Sequence, residues 1–443
     1  ALAQPAVTGL RVNTLKLSPE EFWGTGYRVW GAGFQVYPVP WCPSGFVIPS
    51  ETGAGKHPFH AAGLYYLQEP SALAVAETLG PQPGELLLDL AAAPGGKTTH
   101  IAALTKNESV IVANEISQGR TKALSENLER VGSTQSVVTN EEVSKLAKHW
   151  GAIFDRVLLD APCSGEGMFR KSQEALGMWS ERNVLGCAKR QANLIDDAAK
   201  LVKVGGYLVY STCTFAPEEN EQVIAKFLKD HPEFELCDIP LAGTTYGRQD
   251  WLSPDLQNLD VSKTIRLFPH QVLGEGHFVA KSQKTSGENE VFKSAAFNPV
   301  PKETEKQWLE FCRATFSEQP FRDMQLTMFG EKLFAVPENV PHLRGIKALR
   351  TGVWLGNFEG SKHKPRFEPS HSLVLALKKK ELGERLELSL DDKTVKQYLQ
   401  GYELENQGRD GWLVITVADF PLGWGRRSKG IVKNAYPKGL RQR

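Results

Sequence analysis

From residue 84 to residue 212 the chain alternates short apolar runs with amphipathic stretches. Apolar runs bounded by turn residues read as strands, and apolar residues at helical spacing read as helices. Strands are predicted at 85–90, 109–114, 136–139, 154–160 and 206–212. Helices are predicted at 97–105, 117–131, 141–149, 188–203 and 217–229. Pro217 followed by Glu218 and Glu219 suits a helix start, because proline fits the first helical position and acids fit the first turn. The run His277-Phe278-Val279-Ala280 predicts one more strand at the edge. Strand–helix alternation of this kind predicts an α/β fold with a doubly wound, Rossmann-like parallel sheet. Ligands bind such sheets beyond the carboxyl ends of the strands. Asp89, Glu115, Asp160 and Cys213 all fall at or just past those ends.

The flanks differ from this core. Residues 1–67 are rich in Trp, Gly and Pro and read as a separate small module. The core then spans 68–283, and the polar stretch 284–306 reads as a linker. Mixed patterns follow in an intermediate module, 307–378, and a last module, 379–443. In the latter, Trp412 to Val417 reads as a strand ahead of a basic tail. From Pro421 onward the chain carries Arg426, Arg427, Lys429, Lys433, Lys438, Arg441 and Arg443 and no acid. Trp424 and Tyr436 interleave with these charges, a pattern that suits phosphate binding and base stacking.

Composition narrows the class. With 41% hydrophobic and 23% charged residues, the chain reads as a soluble globular protein of several domains. The net charge is only +1, so nucleic-acid binding has to come from local patches. There is no run of membrane-span length, and the opening Ala1-Leu2-Ala3-Gln4-Pro5 is not a signal segment. Six scattered cysteines with no Cys-x-x-Cys argue against structural zinc and a disulfide framework, and for free thiols in the cytoplasm. His57 and His60 are too few to suggest a metal site.

The loop Ala91-Ala92-Ala93-Pro94-Gly95-Gly96-Lys97-Thr98 fits a relaxed phosphate-loop pattern. Such loops work by aiming successive backbone N–H groups at phosphates, and Pro94 removes one of them. The Gly-x-Gly-x-x-Gly turn of dinucleotide sites is absent. S-adenosylmethionine has no phosphate and needs no such cradle. It needs a close-approach turn, met by Ala91 to Gly96, and a ribose carboxylate, met by Glu115. It also needs an adenine slot near the third strand end, where Glu142 stands. Asp160-Ala161-Pro162-Cys163 puts a thiol at the fourth strand end, which favours covalent chemistry. Cys213 lies at the fifth strand end, ahead of a helix start whose dipole would favour a thiolate. Lys97, Arg170 and Lys171 are candidate cations beside it. Cys42, Cys187, Cys237 and Cys312 read as small buried hydrophobes. Spacing alone does not rank Cys163 and Cys213.

Three motifs together are similar to the RsmF/YebU-like, NSUN-type rRNA cytosine-5 methyltransferases. They are Ala91 to Thr98, Asp160 to Gly167, and Ser211-Thr212-Cys213-Thr214 with Glu218-Glu219-Asn220-Glu221. Arg11 to Lys16, Gln68 to Ser71, Gly274 to Phe278 and Lys433 to Lys438 also resemble this family. The resemblance implies a class I methyltransferase core, a PUA-like last module and S-adenosylmethionine as cofactor. It implies Cys213 as nucleophile and Cys163 as the thiol assisting product release. It places Ala91, Ala92, Ala93, Pro94, Gly95, Gly96, Lys97, Glu115 and Asp160 around the cofactor, with Glu142 at the usual third-strand position. Asp160 and Lys97 are the remaining candidate catalytic residues. The implied substrate is a cytosine in the decoding region of 16S rRNA, free or in the small subunit. The expected partner is RNA and not a membrane, and the expected state is a monomer.

Overall fold

The structure, a computed structural model, describes residues 6–26, 36–359, 366–390 and 393–442. The opening residues 1–5 and the tail's Arg443 lie outside the described residues. The N-terminal module holds β1 (Thr8–Val12), α1 (Pro19–Gly26), β2 (Tyr37–Val39), β3 (Cys42–Ile48), α2 (Pro58–Ala61) and β4 (Tyr65–Leu67). Its four strands form one sheet in the order β2-β3-β1-β4.

The core begins with α3 (Pro70–Leu79) and then alternates as the pattern predicts. The elements are β5 (Leu86–Asp89), α4 (Gly96–Leu104), β6 (Val110–Asn114), α5 (Gln118–Val131), β7 (Ser136–Thr139), α6 (Val143–Trp150) and β8 (Phe154–Asp160). After α7 (Gln173–Met178) and α8 (Glu181–Ala199) come β9 (Val202–Thr212), α9 (Glu221–Asp230), β10 (Phe234–Leu236), β11 (Thr245–Tyr246), β12 (Ile265–Leu267) and β13 (His277–Lys284). Five strands, β9-β8-β5-β6-β7, are parallel, and Leu87, Val112, Val137, Val157 and Val209 within them are fully buried. Strand order reverses between β5 and β8, which opens the crevice where such sheets bind ligands.

Four sequence expectations are corrected. The sheet is mixed rather than all parallel, because β13 pairs antiparallel with β9. Nor is β13 an edge strand, since β12 and then β11 continue the sheet beyond it. The helix expected at 188–203 runs from Glu181 to Ala199, and Val202 already pairs with Phe154 in the sheet. Gly205 at φ 83° and Gly206 would in any case break a helix there. Finally, Pro217 starts only a 3-10 turn, Pro217–Glu219. Asn220 interrupts it by donating its amide to the Thr214 carbonyl and accepting from Thr212, so α9 begins at Glu221.

Behind the core, helix Lys302–Thr315 starts inside the stretch expected as linker. Strands Gln325–Phe329, Lys332–Val336, Val353–Glu359 and Arg366–Pro369 make a separate sheet. Strand Ala348–Thr351 leaves that sheet and extends the core sheet beside β7. The last module builds a five-stranded sheet around Gly411–Val417 and Phe420–Ser428. Its Leu413, Ile415 and Tyr398 share one apolar cluster with Leu10, Phe22 and Tyr65 of the N-terminal module. The two ends of the chain therefore pack together.

Candidate active site

The carboxyl ends of β5, β6, β8 and β9 gather the expected residues. After β5 the chain turns at Gly95, whose φ of 108° suits only glycine, and α4 starts at Gly96. Backbone bonds from Ala92 N to Asn114 O (2.8 Å) and Gly95 N to Ala92 O (2.7 Å) hold this turn against β6. Asp89 at the end of β5 is fully buried and accepts from Thr98 at 2.7 Å. Burial is the main cause that raises its carboxyl to about 7, against the opposing Thr98 bond.

Glu115, just past β6, is 2% exposed. Its Oε1 accepts the Ser117 N–H at 2.8 Å, while Oε2 sits 3.3 Å from Arg120 yet accepts no hydrogen bond. A buried carboxylate oxygen without a donor is costly unless something fills the gap. Asp89 Oδ1 is likewise without a partner. These open acceptors around a glycine turn fit the polar end and ribose hydroxyls of S-adenosylmethionine. Because a hydrogen bond to a charged group contributes about 1.5–3 kcal/mol, Glu115→Ala should weaken cofactor affinity by roughly 10- to 100-fold. Calorimetric titration with the cofactor checks this; an unchanged affinity removes Glu115 from the site. Glu142 is exposed at the N-terminus of α6 and makes no capping bond.

Lys97 and Asp160 form an ion pair at 2.6 Å, and Ser211 donates to the other Asp160 oxygen at 2.7 Å. Burial pushes the Asp160 carboxyl up, but Lys97 and His277 more than offset it, leaving it below the usual carboxylate value. Burial likewise lowers Lys97, while the charges of Asp160, Cys213 and Asp89 raise it, for a net rise. Asp160 therefore stays an acceptor and Lys97 a cation. Beside them, Cys163 Sγ and Cys213 Sγ lie 3.4 Å apart. The thiol pair, the ion pair and the glycine turn thus share one crevice.

The structure changes some roles. With α9 starting at Glu221, no α-helix N-terminus follows Cys213 directly, and Lys97 is the cation near it. Of the other two candidate cations, Arg170, its side chain 6% exposed, is paired with Glu275 at 2.6 Å, and Lys171 is exposed. Trp424 and Tyr436 are 1% and 5% exposed and pack in the last module, where Trp424 donates to Ser370 O. Their rings therefore complete a core and do not stack bases. Cys42, Cys187 and Cys312 are buried as expected, but Cys237 is partly exposed.

Sequence reasoning gave no roles to Glu69, Ser71, Glu275 and His277. Glu69 caps α3 and accepts the Glu275 N–H at 2.6 Å, and His277 Nδ1 lies 3.4 Å from Ser71 Oγ. The segments Gln68 to Ser71 and Gly274 to Phe278 carried the signal, but only folding shows that they meet. Elsewhere, Cys42, Glu77 and His100 place ligand atoms within 4.8 Å of one another. The fully buried Arg11 guanidinium acts on all three, and burial pushes the Cys42 thiol up to about 12. A dication would oppose Arg11, so this cluster reads as hydrogen-bonded packing. A cavity of about 670 Å³ lies away from the crevice, lined by Glu108 and Gln135 just before β6 and β7.

A sheet whose parallel strands change order beside a glycine turn, with an open buried carboxylate oxygen nearby and no pyrophosphate cradle, defines a class I S-adenosylmethionine-dependent methyltransferase. Comparison with known proteins narrows the class. Family models match four segments: "16S rRNA methyltransferase RsmB/F" at 76–283, "N-terminal domain of 16S rRNA methyltransferase RsmF" at 1–70, "RsmF rRNA methyltransferase first C-terminal domain" at 310–377, and "Methyltransferase RsmF PUA domain" at 385–442. Ribosomal RNA small subunit methyltransferase F of Vibrio vulnificus is 32% identical over 99% of this chain and 92% of its own. The protein of that name from Photobacterium profundum is 33% identical over 98% and 91%. Among solved structures, a methyltransferase homologue from Pyrococcus horikoshii matches with a TM-score of 0.54 and 32% identity over 64% of this chain and 88% of that one. The fold of NSun6 from the same organism, solved with SFG, matches at 0.55 and 23% identity over 65% and 93%. The chain belongs to the RsmF family of 16S rRNA methyltransferases. Its cofactor is S-adenosylmethionine and its substrate RNA. Among the described residues, no helix is long and apolar enough to cross a membrane.

Proposed function

We propose that the protein methylates carbon 5 of a cytosine in 16S rRNA, near the decoding region, through a covalent bond between Cys213 and C6 of the base. The observation that supports this reading most is the pair of thiols 3.4 Å apart beside the Lys97–Asp160 ion pair. Cytosine C5 is a poor nucleophile. Addition of the Cys213 sulfur at C6 makes C5 enamine-like and able to attack an electrophile. S-adenosylmethionine supplies that electrophile as a methyl group. Asp160, held ionised by Lys97, can accept a hydrogen bond from the protonated N3 that addition requires. Loss of the C5 proton and elimination of Cys213 then restore the aromatic base, with Cys163 assisting release. The target base leaves its stack to reach the crevice. Within the cofactor site, Glu115 holds the ribose and Ala91 to Lys97 the methionine end, with Glu142 the candidate at adenine.

The test is transfer of labelled methyl groups to 16S rRNA and to assembled small subunits, followed by nucleoside analysis. 5-Methylcytidine is the expected product. Any other methylated nucleoside would overturn the assignment of the base. In the cell we place the protein in the cytoplasm as a monomer acting on RNA.

RNA holding falls to the flanking modules. In the last module Arg426, Lys429 and Lys433 are exposed, while Arg427 is buried against Glu384 and Asn406. Deleting the tail would remove two core strands, so substitutions are the cleaner probe. Changing Arg426, Lys429 and Lys433 together to Ala should lower RNA affinity and flatten its log–log salt dependence by about 2 to 3. Cofactor binding should be unchanged. An unaltered salt slope would move the RNA path off this face.

A further inference from the structure

Two side chains left unused by the mechanism stand behind the cysteine pair. Glu219 and Gln191 are both fully buried. Glu219 ends the 3-10 turn after Cys213, and Gln191 comes from α8. Both Glu219 oxygens accept the Ser164 N–H, at 3.0 and 3.3 Å, and one also accepts the Gln191 amide at 2.7 Å. The same amide donates to the Pro162 carbonyl at 3.0 Å. Pro162 and Ser164 flank Cys163, so the backbone is gripped on both sides of the thiol. Ser164 Oγ lies 2.8 Å from Thr214 Oγ1, which ties this turn to the residue after Cys213. The grip thereby fixes which way the Cys163 sulfur faces.

The electrostatics are as asymmetric as the geometry. The hydrogen-bond donors on Glu219 are all neutral, a backbone N–H and an amide, so its charge is not cancelled locally. Cys163 is pushed well above the ordinary thiol value by its bond to Cys213, by burial, and by the charges of Cys213 and Glu219. Cys213 instead has the Lys97 cation near it. Cys163 therefore holds its proton as a neutral thiol.

We propose that Glu219 is a positioning residue that keeps Cys163 a protonated thiol aimed at Cys213, so that Cys163 acts as an acid toward the departing sulfur. This rests on the thiol mechanism above. As the Cys213 Sγ–C6 bond breaks, its electron pair returns to Cys213 Sγ. The Cys163 proton passes to that sulfur, and the C5 proton and the proton taken up at N3 leave to water. Cys163, now a thiolate, regains a proton from water, and both thiols are restored.

The charged and titratable groups acting around Cys163 are Asp160 from β8, Tyr210 and Cys213 from β9 and its end, Glu219 and Glu166 from the turns, Cys187 from α8, and Lys97 from α4. The test removes the Glu219 charge, and a Gln191 variant separates that from the loss of its hydrogen bonds. In a Cys213→Ala background, alkylation of Cys163 by iodoacetamide is followed against pH by peptide mass spectrometry. Glu219→Gln should lower the alkylation midpoint by about one pH unit. With Cys213 present, Glu219→Gln should form the RNA-linked adduct at the native rate and release it several-fold more slowly. Gln191→Leu loosens the grip but leaves the carboxylate, so it should slow release without lowering the midpoint. It also serves if Glu219→Gln fails to bind cofactor. A midpoint that stays put in a folded Glu219→Gln protein, or one that falls in Gln191→Leu, overturns the proposal. Absence of any adduct in the native enzyme would instead defeat the thiol mechanism, while the alkylation arm would still report on Glu219.

Discussion

The Cys213→Ala protein should transfer methyl groups at least ~10³-fold more slowly than the native enzyme, because in the proposed mechanism its sulfur makes the bond to C6. Cys163→Ala should differ in kind. It should form the RNA-linked adduct and then stall, leaving a band on denaturing gels that the native enzyme clears. The reason lies in the placement of the two sulfurs. They are 3.4 Å apart, yet Cys213 has the Lys97 cation near it and Cys163 has the Glu219 carboxylate. The second environment favours the neutral thiol that the proposed release step needs. Tritium transfer from labelled cofactor and gel analysis of the adduct read the two variants in parallel. Comparable activity in Cys213→Ala, or a stalled adduct in that variant instead, would reverse the roles.

The parallel half of the sheet was legible because its strands are built on apolar runs with clear turn residues between them. Their ends could be located to within a few residues, and with them Asp89, Glu115, Asp160, Cys163 and Cys213. The antiparallel half was less so. Strands Thr245–Tyr246 and Ile265–Leu267 are too short to carry a period, and Ala348–Thr351 joins the sheet only through pairing with a segment some two hundred residues earlier. Pro217 misled for a local reason: the side chain of Asn220 bonds the Thr212–Thr214 loop, which competes with helix formation. The tail misled for a different one. Trp424 and Tyr436 read as a stacking surface among basic residues, but both rings pack into the module's own core while Arg426, Lys429 and Lys433 stay exposed, a division that interleaving in sequence does not show. Spacing could not show the Lys97–Asp160 pair or the Glu219 grip, since each joins elements far apart in sequence.

The largest loss of stability is expected at an ion pair that sequence reading passed over. Glu221 and Arg266 are 0% and 1% exposed, and Arg266 donates from Nε and Nη2, one edge of its guanidinium, to the two Glu221 oxygens. Arg266 lies over Trp251 at 4.8 Å and Phe278 at 5.5 Å and donates to the Phe215 carbonyl at 3.0 Å. Glu221 also accepts the Arg248 N–H at 3.1 Å. Removing one partner strands the other charge in an apolar cage, so Glu221→Ala should cost about 3–5 kcal/mol in urea unfolding. Replacing both partners together, Glu221→Leu with Arg266→Met, should recover most of that loss, because the strained element is the lone charge and not the missing attraction. Activity should not recover in step. Phe215 is two residues past Cys213, and without the Arg266 bond its carbonyl is released along with the loop that carries Cys213. A stable double variant with native turnover would show that the pair serves the fold alone. A Glu221→Ala protein less than about 1 kcal/mol below native would show that water reaches Arg266 and pays for its charge.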